Sequence, residues 1–111
     1  MGARQEGRRY VEKRRPHYSL EQVRGFASNP DKIRFTRTAL DGGIDLGLDL
    51  ATMGSVIMNL NVSDFYKSMT TYADSKVWQD VYHPSFQGKN LYVKLTVVTD
   101  NDLLVVSFKR R

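Results

Sequence analysis

The chain has 111 residues, with 17 Lys and Arg against 12 Asp and Glu, a net charge of +5, 41% hydrophobic and 26% charged residues, and no cysteine. One packed domain fits that length and composition; disulfides and thiolate metal centres are excluded, two histidines leave little for an imidazole site, and the positive balance favours a polyanion such as RNA, DNA or an anionic lipid surface. The apolar runs are far shorter than the roughly 18 residues that a bilayer span needs, and MGARQEGRRYVEKRRPH lacks the apolar core of a signal peptide, so a cytoplasmic protein with no membrane partner is expected.

Arg4, Arg8, Arg9, Lys13, Arg14 and Arg15 crowd the start of the chain. Residues 1–11 read as a flexible basic tail and 12–111 as a single domain. Ser19 with Gln22 makes a capping-box pattern, and Leu20, Val23 and Ala27 recur at helical spacing up to Asn29-Pro30. Ile33 to Thr36 suits a brief strand. Thr38 is the expected cap of a second helix stopping near Gly47, although Ile44, Leu46, Leu48 and Leu50 alternate as a strand would. Asp49 caps a third helix with Leu50, Met53, Ile57 and Leu60 along one face.

Ser63 is expected to cap a further short helix in which Phe65 and Met69 share a face, with Lys67 turned about 200° from Phe65 and so away from the buried stripe. From Val77 onward the texture is β-rich in three runs, 77–83, 91–99 and 103–109, with turns at Pro84 to Asn90 and at Asp100-Asn101. If Asp100-Asn101 is the hairpin tip, Thr99 faces Asp102 and Tyr92 faces Lys109. One face then carries Leu91, Val93, Leu95, Val97, Leu104, Val106 and Phe108, and the other Tyr92, Lys94, Thr96, Ser107 and Lys109. Parity adds Gln79, Val81 and His83 to the polar face and Trp78 and Tyr82 to the core. It also puts Asp80 on the core side, where it needs a hydrogen-bond partner.

Lysines and a tyrosine on one open surface offer cations for phosphate oxygens and a ring for base stacking, although a solvated face of an open sheet is the plainer reading of such a pattern. Gly42 and Gly47 have Walker A separation, but Leu48 stands where the lysine belongs. The acidic run from Asp100 fails as a calcium loop, with Val105 and Arg111 at the glycine and glutamate positions. His17 and His83 lack metal-ligand spacing, and no serine–histidine–acid triad can be assigned. No metal site is expected.

EKRRPHYSLEQV at 12–23, LGLDL at 46–50, SDFYKSMTTYADSKVWQDVY at 63–82, LYVKLTVV at 91–98 and LLVVSFK at 103–109 together resemble the motility quorum-sensing regulator toxins, mRNA interferases of the RelE-like superfamily. The resemblance runs from about Glu12 to the C-terminus. It implies an α+β fold, an antiparallel sheet packed on one face by N-terminal helices. It implies metal- and ribosome-independent cleavage of mRNA at short GC-containing triplets, with no cofactor, and a cognate antitoxin of the zinc-binding, helix-turn-helix kind through which alone operator DNA is bound.

Carried onto this chain, the family's active-site residues fall on Lys67, Gln79, Tyr92 and Lys109. The lysines would meet phosphate charge and donate protons, Tyr92 would transfer a proton or stack, and Gln79 would position substrate. Lys94, Arg110, Arg111 and His83 are expected to bind RNA, His83 standing where better-known members carry arginine. The basic tail and a slightly longer last hairpin also depart from that pattern. The competing expectation is a noncatalytic nucleic-acid-binding module on the same face.

Overall fold

The computed structural model describes residues 10–99 and 101–111. The helix α1 (Leu20–Ala27) starts at Ser19, whose hydroxyl accepts from Gln22 N at 3.1 Å. A 3-10 turn over Pro30–Lys32 leads into the strand β2 (Ile33–Phe35). The helix α2 (Arg37–Asp45) is capped by Thr36, not Thr38. The reason is tertiary: Thr36 Oγ1 accepts from Ala39 N at 3.1 Å and donates to Val106 O at 2.8 Å, so one hydroxyl serves a helix start and a strand. Gly47, at φ 75°, lets the chain reverse while Leu48 N reaches back to Gly43 O at 2.9 Å. The alternation of Ile44, Leu46 and Leu48 therefore belongs to a helix end. Asp49 caps α3 (Leu50–Met58) through Thr52 N at 2.8 Å, and Met53, Val56 and Ile57 are buried.

The sheet runs in the order β1 (Glu12–Lys13), β3 (Phe65–Thr70), β4 (Trp78–Tyr82), β6 (Lys89–Val98), β7 (Asp102–Arg110) and β2, with the short β5 (Ser85–Phe86) on β6. All pairs are antiparallel except β2 with β7. The helices cover one face. There Val23, Ala27, Ala39, Met53, Ile57 and Leu60 meet Tyr82, Leu91, Val93, Leu95, Leu103, Val105 and Phe108 in one buried cluster. The expected α+β architecture holds, a mostly antiparallel sheet packed on one side by helices from the first half of the chain.

Two further local expectations are overturned. The segment after Ser63 is not a helix: Asn61 caps a 3-10 turn over Val62–Asp64, and Phe65–Thr70 forms β3. Its aromatic and β-branched residues suit a pleated surface, and β4 on one side and β1 on the other take up its backbone groups. The hairpin register is also different at its tip. Asp102 pairs with Val98, not Thr99, so Leu103 and Val105 are buried where Leu104 and Val106 were expected. Thr99 takes φ 54° in the turn. An extra residue, Val106, then enters β7 between the Leu95–Val105 and Lys94–Ser107 pairs, and beyond it Tyr92 faces Lys109 as predicted.

Asp80 is fully buried and finds the partners that its position demands. Its carboxylate accepts from His17 N at 3.0 Å and Tyr18 N at 2.9 Å, fastening the segment before α1 to the sheet. Asp80→Ala should cost about 3 kcal/mol, because both amides lose a charged acceptor in a dry site. A urea titration reads this as a fall in midpoint at unchanged slope; a midpoint within error of the parent would contradict it. Residues 1–9 of the expected basic tail lie outside the described residues. Tyr10 and Val11 lie against β3, Val11 N donating to Thr70 Oγ1 at 2.8 Å and Tyr10 packing edge-on to Tyr72 at 5.3 Å.

Candidate active site

The face of the sheet away from the helices is built by two bulges. In β3, Phe65 pairs with Tyr82 but Lys67 pairs with Val81, so Tyr66 is the extra residue. Phe65 thereby joins the core while Lys67 takes the opposite face, which a regular strand would not allow two residues on. The bulge at Val106 does the same for β7, leaving Phe108 in the core and turning Lys109 out. Both lysines owe their direction to an inserted residue.

Across the strands, cross-strand pairing lines up Lys67, Val81, Lys94 and Ser107 in one row and Tyr92 with Lys109 in the next. His83 stacks on Tyr66 with centroids 4.3 Å apart at 19°, and it lies 5.8 Å from the Tyr92 ring. Lys109 Nζ stands 5.1 Å from the Tyr92 centroid and Lys67 Nζ 5.5 Å from that of Tyr66. Arg111 donates to His83 Nδ1 at 3.2 Å, and the Arg14 guanidinium is 5.8 Å from the Tyr66 ring. Lys67 Nζ also meets Glu12 Oε2 of β1 at 2.6 Å, with both side chains about four-fifths buried (18% and 21% exposed).

The electrostatics sort these groups by protonation. The hydrogen bond that the Lys67 ammonium donates to Glu12 raises it above its ordinary range against the opposing effect of burial. Burial raises the Tyr92 phenol, with Lys67 pulling the other way. Burial lowers His83, helped by Arg111 and Lys67, and it lowers Lys94, helped by Lys109 and Lys67. At neutral pH the face therefore presents a firmly charged Lys67, a protonated phenol and a neutral imidazole.

Lys67, His83, Tyr92, Lys94, Lys109 and Arg111 thus come together. Gln79 shares their face but pairs with Met69, one row beyond Lys67. Arg110 pairs with Leu91, on the core-side parity, and lines a cleft of about 480 Å³ with Gly42, Asp45, Lys89 and Lys109, so that it meets the cluster only through Lys109, which borders both. Sequence reasoning missed Glu12 and gave Tyr66 no role. Nothing in a two-residue edge strand or in the residue before a bulge announces such a place. Among the described residues no three His, Asp or Glu side chains gather as metal ligands, and no helix is long and apolar enough to cross a membrane.

A helix-backed, mostly antiparallel sheet whose other face gathers ammonium, guanidinium and aromatic groups among the described residues defines a small α+β protein with a cationic surface. The comparisons are specific about which. The chain belongs to the family described as motility quorum-sensing regulator, toxin of MqsA, whose profile matches residues 15–110. It is 48% identical over 101 residues to the mRNA interferase toxin MqsR of Escherichia coli (strain K12), spanning 91% of this chain and 100% of that protein.

Proposed function

We propose that this protein is the toxin of a toxin–antitoxin pair and acts as an mRNA endoribonuclease, cutting at short GC-containing triplets without metal or ribosome. The observation that carries the chemistry is the convergence of Lys67, Tyr92 and Lys109 on the sheet face away from the helices. Attack of a 2′-OH on its own phosphate, with its proton passing to water or to the neutral His83 imidazole, builds negative charge on the phosphorane, breaks the bond to the 5′-oxygen and leaves a 2′,3′-cyclic phosphate. Lys67 and Lys109 supply fixed cations where that charge grows. Tyr92, held protonated by burial, hands its proton to the departing 5′-oxygen. Gln79 orients the strand at the edge of the site, while Lys94, Arg111 and the His83 ring hold phosphate and base; Arg110 reaches RNA only if the strand passes round to the α2 cleft.

The partner is a cognate antitoxin of the MqsA type, zinc-binding and bearing a helix-turn-helix, through which operator DNA is reached. The setting is the cytoplasm. Incubating the protein with a defined RNA in EDTA should give 5′-hydroxyl and 2′,3′-cyclic phosphate ends. Binding without scission would leave the noncatalytic module standing and end the endonuclease reading.

A further inference from the structure

We infer that Glu12 is a positioning residue of the active site, a carboxylate that aims the Lys67 ammonium at the scissile phosphate. This rests on the reading of Lys67 as the phosphate cation. Lys67 carries its charge on a flexible four-carbon stem, and the same face brings in Lys94, Lys109 and Arg111, whose charges oppose one another. The effect shows at Lys94, whose ammonium is pushed toward the neutral form by burial and then by both Lys109 and Lys67. Left to itself, Lys67 would swing toward water. Glu12 Oε2 takes one of its three N–H donors at 2.6 Å and leaves two for phosphate oxygens.

The carboxylate is itself held in place. β1 is only Glu12–Lys13, yet it is fastened at both sides. Before it, Val11 N donates to Thr70 Oγ1 at 2.8 Å and Val11 O accepts from Thr70 N at 2.9 Å. Within it, the Lys13 ammonium lies 4.1 Å from the Trp78 ring centroid, and after it the His17 and Tyr18 amides reach Asp80. Glu12 pairs with Met69 and so lies on the same face as Lys67. A buried aspartate and a strand edge thus fix the residue that fixes the lysine, which is the support that a preorganised charge requires.

The groups acting on Lys67 are Glu12 from β1, Tyr10 before it and Tyr66 from β3, and Lys67 in turn acts on His83, Tyr92 and Lys94 of the neighbouring strands. Of these Glu12 has the largest effect, keeping the ammonium protonated. Its removal has a signature that simple loss of stability would not produce. Glu12→Gln should bind RNA as tightly as the parent or more tightly, since a negative charge has left the face. It should cut roughly tenfold to a hundredfold more slowly in kcat, the scale of a misplaced catalytic group. The alkaline limb of its rate profile should move to lower pH, and Glu12→Asp should recover part of the loss.

The experiment measures kcat, KM and pH profiles for these two variants and for Lys67→Ala on one RNA, with the Lys67 side-chain carbon titrated by NMR. A Glu12→Gln protein with the parent's kcat and alkaline limb overturns the inference. So does one that loses its acid limb while the Lys67 titration stays put, which would make Glu12 a general base instead. If Lys67→Ala cuts at the parent rate, the fault lies in the site reading, and the positioning role falls with it.

Discussion

Lys67→Ala and Lys109→Ala are each expected to lower kcat by roughly 10²- to 10³-fold, the usual effect of removing one group that stabilises transition-state charge. Lys109 is exposed, so Lys109→Ala should hardly change stability. Lys67→Ala leaves the mostly buried Glu12 carboxylate without its cation and should cost about 1 to 3 kcal/mol, so its rate is read per folded molecule. If the two ammonium groups clamp one phosphate, the double variant should lose much less than the product of the single losses, because the survivor of a broken clamp already acts poorly. The pH profile follows from the direction of each shift. Lys67 and Tyr92, both raised, keep their protons through neutrality and lose them only in the alkaline range, so the rate should hold up to there. His83, lowered by burial and two cations, stays neutral until the pH falls below its ordinary value of 6.5. Steady-state kinetics on a fluorescent oligoribonucleotide checks all of this. Parent-like rates in both single variants would remove the site from this face.

The regular parts of the fold were legible because local chemistry and tertiary need agree there. Ser19 and Asp49 cap helices through nearby amides, and the alternation of Leu91, Val93 and Leu95 fixes which side of β6 is dry. Tyr92 opposite Lys109 was also readable, but only because two departures from a simple hairpin cancel: a longer turn shifts the register by one residue and the extra Val106 restores it. Leu104, between those two departures, and Val106, itself the second of them, are therefore not buried as their alternation predicts. Lys67 was expected to turn away from Phe65 by helical rotation; it does turn away, through a bulge in a strand. Apolar period cannot reveal an inserted residue, since the pattern on either side of it remains valid. Thr36 could not be preferred to Thr38 either, as half of what it does is done for Val106, seventy positions on.

That contact between α2 and β7 leads to the second large effect. Gly42→Ala should destabilise the protein by about 3 kcal/mol, near the upper end for overpacking. A Cβ at Gly42 would overlap the carbonyl oxygen of Phe108 and lie 3.4 Å from Lys109 Cβ. Backbone, unlike a side-chain tip, cannot rotate aside, and this stretch is fixed by Tyr92 opposite Lys109 and by Thr36 on Val106. Neighbouring glycines calibrate the effect. Gly43→Ala meets the Met53 thioether, a flexible end, and should cost about 1 to 2 kcal/mol. Gly25→Ala, inside α1 with nothing within 4 Å of the new Cβ, should gain about 0.5 to 1 kcal/mol. Urea midpoints of the three variants test the order. Gly42→Ala should also lose more RNA cleavage than its folded fraction explains, because the strand it displaces is the one that carries Lys109. A Gly42→Ala protein as stable as Gly25→Ala would mean that α2 does not sit against Phe108 as described, and the direction given to Lys109 would lose its support.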